Sequence, residues 1–248
     1  MPLQQPTRAI LVCVDYSDLL AITLKYNRHH FSQVCVVTSP EYVENVFPIC
    51  VKNDAIMYPT DSFYKDGAVF NKWRALEEGL DYYGRSGWLC VMDADVLWPK
   101  ELPDFEMEEG KLYTPLRRMC TDLTKPIPYN ESTWTGYPIH RNVNEWAGYS
   151  QVFHASDPCL GIPPWHETDW KHAGGADSFF QKKWHKRDKV RPPFECLHLG
   201  PAGKNWGGRV SNYLDGTAPE KAAERQTYMN TLFSDRRKHR NFDHEKLQ

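Results

Sequence analysis

The 248-residue sequence has no apolar run approaching the roughly 18 residues that a membrane-spanning helix needs. Its first residues, Met1-Pro2-Leu3-Gln4-Gln5, carry neither the cationic nor the apolar stretch of a secretory signal, so a soluble cytosolic protein is expected. Neither sign of charge dominates: 30 Lys and Arg stand against 32 Asp and Glu, which excludes a uniformly basic coat for nucleic acid. No C-x-x-C pair occurs among the seven cysteines, and Cys13, Cys35 and Cys90 lie inside apolar stretches. That is the usage of small core residues in a reducing compartment, not of a disulfide framework. The first strand-like segment is not followed by G-x-G-x-x-G, which disfavours a dinucleotide. Gly200-Pro201-Ala202-Gly203-Lys204 has two residues where a P-loop has four and no Ser or Thr after its lysine. No internal repeat or low-complexity segment is present.

What remains is the pattern of an α/β protein. Residues 8–14, 33–37, 55–58 and 88–92 are short apolar runs, and helix-like segments occupy 19–29 and the stretch from 41. Strands alternating with helices describe βαβαβ units, a mainly parallel sheet with helices on both faces and right-handed crossovers. The run at 88–92 is then followed by Asp93-Ala94-Asp95, two carboxylates one residue apart where a buried strand should end. In an open α/β sheet ligands bind at that edge. Paired carboxylates repel, and a divalent cation compensates them; oxygen ligands of this kind suit Mg²⁺ or Mn²⁺. Roughly one D-x-D is expected by chance in a chain of this length, so the position after the strand, not the motif alone, singles it out.

Other stretches admit a functional and a structural reading. Asn71-Lys72 opens an amphipathic helix with Trp73, Leu76 and Leu80 on one face, where amides, dipole and ammonium could meet a diphosphate or simply be a solvated first turn. Residues 113–140 are irregular and include Arg117-Arg118, as in a lid or acceptor-binding loop. Residues 146–154 alternate like a half-buried strand, and His154 is expected at its core or rim. Ala173-Gly174-Gly175-Ala176-Asp177 is a small-residue loop opening a helix, in which Asp177 is either a first-turn carboxylate or a general base. The helix is expected to run on through Lys182, Lys183, Lys186 and Arg187, a solvated face or a contact for an anionic partner. A strand over 194–200 contains His198, and a terminal helix over 219–235 leads into the basic tail 236–240.

The order of these motifs resembles the GT-A fold glycosyltransferases, nucleotide-sugar-dependent enzymes built on a Rossmann-like sheet. The resemblance rests on Val12-Cys13-Val14-Asp15-Tyr16-Ser17-Asp18, on Asp93-Ala94-Asp95, on Gly174-Gly175-Ala176-Asp177, and on His198-Leu199-Gly200 with Lys204 and Trp206. It implies one GT-A domain over 1–248: a nucleotide-sugar-binding half at about 8–100, an acceptor-binding and catalytic half at about 101–210, and a C-terminal helix and tail from about 219. It further implies a nucleoside-diphosphate sugar donor, a UDP-sugar foremost, with Mn²⁺ or Mg²⁺ held by Asp95, His198 and Asp93. Tyr16 and Asp18 would lie against the base, with Thr38, Asn71, Lys72, Ala94 and Lys204 also on the donor. Asp177 falls where inverting members keep the catalytic base, although Ala176 replaces the usual preceding glutamate; the His-x-Gly and Lys-x-Trp spacing is shared with certain retaining members. The chain also resembles small stand-alone bacteriophage enzymes, some of which glycosylate hydroxymethylated pyrimidines in DNA, within the host cytoplasm. On that resemblance DNA is the acceptor, contacted by Lys182, Lys183, Lys186, Arg187 and Trp146. The alternative acceptor is a saccharide or lipid-linked glycan, with Trp134, Trp146 and Trp165 as sugar platforms. Readings from other classes are a nucleotidyltransferase and a non-catalytic sugar-binding protein.

Overall fold

The computed structural model describes residues 3, 5–123, 127–140, 146, 148–200, 205, 207–209, 222–228 and 230–231. Its strands are β1 (Thr7–Val12), β2 (Gln33–Thr38), β3 (Ile56–Pro59), β4 (Trp88–Asp93), β5 (Val96–Leu97), β6 (Leu112–Tyr113), β7 (Leu116–Cys120), β8 (Ser150–His154), β9 (Lys189–Val190) and β10 (Glu195–Leu199). Its α-helices are α1 (Ser17–Asn27), α2 (Val43–Lys52), α3 (Lys72–Tyr83) and α4 (Ala176–Phe180), and residues 222–228 are also helical. Seven strands form the main sheet in the order β3-β2-β1-β4-β8-β6-β9. The four at its N-terminal end are mutually parallel, as the βαβ pattern predicts, and β8 then runs antiparallel to β4.

Side-chain alternation along β1 explains the layers. Ala9, Leu11 and Cys13 point to the face covered by Leu20 and Leu24 of α1; Ile10, Val12 and Val14 point to the face covered by Trp73, Leu76 and Leu80 of α3. Both faces are apolar because both carry helices, so the strand reads as a continuous apolar run. Each large side chain removed from water here contributes about 1.5–3 kcal/mol. The close seating of α3 depends on Gly79: a Cβ there would stand 2.5 Å from Val37 Cγ2 and 3.2 Å from Ile10 Cδ1.

A second sheet of three strands, β5-β10-β7, positions the functional residues. The chain leaves β4 at Asp93, turns through Ala94 and Asp95, and enters β5 in this second sheet after only two residues. There β10 lies antiparallel to β5 with His198 opposite Val96, and the Leu199 N–H donates to the Asp95 carbonyl at 2.8 Å. A histidine more than a hundred residues downstream is thereby set beside the turn that carries the carboxylates.

Three expectations need correction. The helix at 176 does not continue through the cations: α4 ends at Phe180, and 3₁₀ turns at Gln181–Lys183 and Lys186–Asp188 lead into β9. Lys182, Lys183, Lys186 and Arg187 therefore share no helix face. Residues 113–140 are not structureless, since they contain β7, the edge strand parallel to the central β10, and a 3₁₀ segment at Glu131–Gly136. The helix expected from 41 starts as a 3₁₀ turn at Pro40–Tyr42 before α2. The basic tail 236–240 lies outside the described residues.

Candidate active site and metal centre

Asp93 ends β4, Asp95 lies in the turn, and His198 lies on β10; one ligand atom from each falls within 4.8 Å of the others. Asp93 is ion-paired with Lys72, the first residue of α3, and its N–H donates to the Tyr149 carbonyl at 2.9 Å. His198 Nε2 stands 3.7 Å from Asp95 Oδ1, too far for a hydrogen bond. That Oδ1 atom is buried and has no hydrogen-bond partner among the described residues. A buried acceptor left unpaired costs about 1–3 kcal/mol, more when charged. Burial raises the Asp95 carboxyl above the ordinary range; the His198 imidazole opposes this and the neighbouring Asp93 adds to it.

This donor set fits a divalent cation. Two carboxylates and an imidazole are ordinary ligands for Mn²⁺, and a cation supplies the missing partner for Asp95 Oδ1. His198 Nδ1 lies 3.2 Å from the Gly200 carbonyl. Donation along that contact leaves the Nε2 lone pair facing Asp95, as in histidines oriented by a backbone carbonyl for metal binding.

The three side chains line a cavity of about 360 Å³ that also reaches Tyr16, Trp73, Arg117 and Asp177. Asp177 sits in the first turn of α4, with Oδ2 accepting from Gly148 N at 2.8 Å and Oδ1 from Ser178 N at 2.9 Å. The approach of this segment is tight, because a Cβ on Gly148 would stand 2.7 Å from both Asp177 Cβ and Trp73 Cη2. Trp73 is fixed in turn: its indole N–H donates to Ala173 O at 2.8 Å, and His166 stacks on it at 5.0 Å and on Phe180 of α4 at 3.9 Å.

His166 is held by Glu77 of α3, whose carboxylate accepts from Trp165 N and His166 N at 2.9 Å each, and from His166 Nδ1 at 2.5 Å. Arg85 pairs with the same carboxylate at 2.8 Å. Burial works to raise the Glu77 carboxyl, but the His166 hydrogen bond and Arg85 bring it below its ordinary range. Burial also pushes the His166 imidazole down, overcoming the pull of Glu77, so the ring is neutral with Nδ1–H donating. The sequence holds no signal for this pairing, which joins residues 88 and 89 positions apart.

The remaining candidates divide. Tyr16 and Ala94 line the cavity, and the Tyr16 hydroxyl accepts from Asn205 Nδ2 at 2.5 Å. Asp18 is turned away from a ligand role: both its oxygens are taken by the wholly buried Arg209 guanidinium, one at 2.9 Å. Thr38 is buried at the end of β2 and does not line the cavity. Asn71 caps α3, accepting from Arg74 N at 3.0 Å and donating to Thr168 O at 2.7 Å, so its amide is spent on structure. Lys72 lines the cavity through its pairing with Asp93.

Lys182 lies over the Phe179 ring at 4.5 Å, Lys183 donates to Leu160 O at 3.2 Å, and Arg187 is 3.8 Å from Asp188. With Lys186, none of them lines the cavity. Trp146 is outside the lining and carries Arg191 at 4.0 Å over its ring. Trp134 and Trp165 are 4 % and 5 % exposed and belong to the core, so neither is a sugar platform. Lys204 and Trp206 lie outside the described residues. Arg117 and His140, of the stretch expected to form a lid or acceptor-binding loop, line the cavity, and so does Tyr149, for which the sequence carries no signal.

No protein-family profile matches this chain, and no curated protein matches it by sequence. Solved structures do share its fold. Mannosyl-3-phosphoglycerate synthase from Rubrobacter xylanophilus superposes with a TM-score of 0.50 at 14 % identity, covering 97 % of this chain and 75 % of that one. The inositol-1-phosphate CTP transferase from T. maritima gives 0.47 at 11 % identity over 81 % of this chain and 92 % of that one. Glucosyl-3-phosphoglycerate synthase from Mycobacterium tuberculosis, in complex with Mn²⁺, uridine diphosphate and glucosyl-3-phosphoglycerate, gives 0.47 at 12 % identity over 93 % and 80 %. At 14 % identity the likeness to the mannosyl-3-phosphoglycerate synthase is one of fold alone. No helix among the described residues is long and apolar enough to cross a membrane.

Proposed function

We propose that the protein is a metal-dependent glycosyltransferase that moves a sugar from a nucleoside-diphosphate sugar, a UDP-sugar foremost, to a hydroxyl acceptor. The observation that carries this reading is the buried Asp95 Oδ1, unpartnered among the described residues and within ligand distance of Asp93 and His198, in a cavity that Asp177 also lines. Asp95, His198 and Asp93 would hold Mn²⁺ or Mg²⁺, which would offset the charge growing on the departing diphosphate. Lys72 adds a fixed positive charge beside Asp93. Tyr16 offers a ring face to the base, and Trp73 walls the cavity next to Asp177. Transfer breaks the bond from the anomeric carbon to the phosphate oxygen and forms one to the acceptor oxygen. The acceptor proton passes to Asp177, whose two backbone bonds hold it in place and leave a lone pair on each oxygen.

A DNA base as acceptor rests on the resemblance to phage enzymes and on the basic clusters at 182–191 and 236–240; the cations of the first cluster share no helix face and none of them lines the cavity, and the second lies outside the described residues. We take a small hydroxyl compound as the acceptor, because Asp177 and the metal cluster line one cavity of about 360 Å³. The test is incubation with Mn²⁺ and a panel of nucleotide sugars, with and without hydroxyl acceptors. Release of nucleoside diphosphate that is abolished by EDTA and by Asp95→Ala is expected. Release of pyrophosphate from a nucleoside triphosphate would make the protein a nucleotidyltransferase, and binding of sugar without release of either would make it a lectin.

A further inference from the structure

Arg117 differs from the cations that are paired with carboxylates. Lys72 is paired with Asp93, Arg118 with Glu195, Arg209 with Asp18 and Arg225 with Asp15. The Arg117 guanidinium lies 4.4 Å over the Tyr149 ring and lines the cavity, with no hydrogen bond or carboxylate partner among the described residues. Its Nε is buried without an acceptor. Guanidinium groups are always charged and present their donors as a planar fork; Arg117 is half-buried with its Nε hidden from water, so its fork is open to an oxyanion that enters the cavity.

Its placement indicates which oxyanion. On β7 Arg117 is in register with Cys196 of β10, two residues before His198 and on the same face, so it looks into the cavity beside the metal cluster. It is also tied to the acceptor side. Gly148 N holds the Asp177 carboxylate, and the next residue, Tyr149, carries the Arg117 guanidinium on its ring while its hydroxyl is bonded to the Pro115 carbonyl. One short segment thus sets both the proton acceptor and the cation. We infer that Arg117 recognises a carboxylate or phosphate on the acceptor molecule, so that the acceptor is a small anionic hydroxy compound and Arg117 decides its class. This rests on the glycosyltransferase reading and names its second substrate.

The test uses the full chain with Mn²⁺ and its active nucleotide sugar, and compares kcat/KM for acceptors matched except in charge: glycerol 3-phosphate against glycerol, and glucuronate against glucose. The wild type is expected to prefer at least one anionic member by about tenfold to a hundredfold, the worth of a charge-assisted bond. Whichever pair shows the preference distinguishes phosphate from carboxylate. Arg117→Gln should bring that ratio close to one, and Arg117→Lys, which keeps the charge and loses the fork, should fall between. Equal use of neutral partners by the wild type, or a ratio unchanged in Arg117→Gln, would overturn the inference while leaving sugar transfer intact. A fall in UDP affinity in Arg117→Gln as large as the fall in the ratio would assign the guanidinium to the donor and would also overturn it. No turnover with any acceptor or with water would remove the glycosyltransferase reading itself, and this inference with it.

Discussion

Replacing Asp95 by asparagine should act in opposite directions on the metal-free and the metal-bound protein. Ligand atoms of Asp93 and Asp95 lie within 4.8 Å of each other. At that separation two unit charges repel by about 3 kcal/mol at an effective dielectric near 20. Lys72 against Asp93 and His198 against Asp95 offset part of this. Asp95→Asn removes the repulsion and the buried, unpaired charge, so in EDTA the variant should be more stable than the wild type by about 1–2 kcal/mol. With Mn²⁺ the order reverses. Binding at a hundred times Kd stabilises the wild type by about 2.7 kcal/mol, which for a chain of this size is a rise of about 5–11 °C in Tm. The variant, lacking one anionic ligand, should gain little. Thermal melts of both proteins in EDTA and across a Mn²⁺ titration give all four values. A variant that melts below the wild type in EDTA would refute the idea that Asp95 is held in an unfavourable state without a cation. An unchanged Mn²⁺ shift in the variant would remove Asp95 from the ligands.

Three further outcomes are expected. Asp177→Asn keeps one of the two backbone hydrogen bonds and turns an N–H against the other, and turnover should fall by about 10² to 10⁴-fold while UDP affinity is retained; unchanged kcat would make Asp177 a structural first-turn carboxylate. Gly148→Ala puts a methyl 2.7 Å from Trp73 and Asp177 and should lower Tm and turnover together, by about 1–3 kcal/mol in stability, whereas wild-type behaviour would show that this wall yields easily. His30 is buried, and burial together with neighbouring His29 holds its imidazole down at about 3. A histidine lowered on folding contributes fully above its unfolded value near 6.5 and loses that contribution as pH falls toward the folded value. Between pH 7.5 and 5.0 the urea-derived stability should therefore drop by about 2 kcal/mol more in the wild type than in His30→Phe, and parallel slopes would refute it.

The sheet was legible because its signal is local. Runs such as Ile10 to Val14 and Leu89 to Met92 need no partner to be recognised as buried on both faces, and β1, β2, β3 and β4 fall on the expected segments. The end of β4 was legible for the same reason, since an apolar run that stops at two carboxylates marks its own boundary. The length of α4 was not. Its continuation drew on composition, while α4 ends at Phe180 and the 3₁₀ turn after it stops where Trp184 becomes extended and packs a 3 % exposed indole against Phe153 and Phe180. The partners of Asn71 and Asp18 were not legible for a related reason. Cap and ligand roles draw on the same residue types, and only their partners, Arg74 N and Arg209, separate the two.

By itself the order of residues determined that a mostly parallel sheet would be covered by helices on both faces, and that two carboxylates would stand at the rim of its β4 strand. The tertiary structure alone decided what faces them. The antiparallel register that sets His198 opposite Val96, the close seating of Gly148 against Asp177, and the Arg117 guanidinium left on Tyr149 all depend on pairings between distant segments. Such pairings are chosen by the packing of the whole core, and no short stretch of chain carries a record of them.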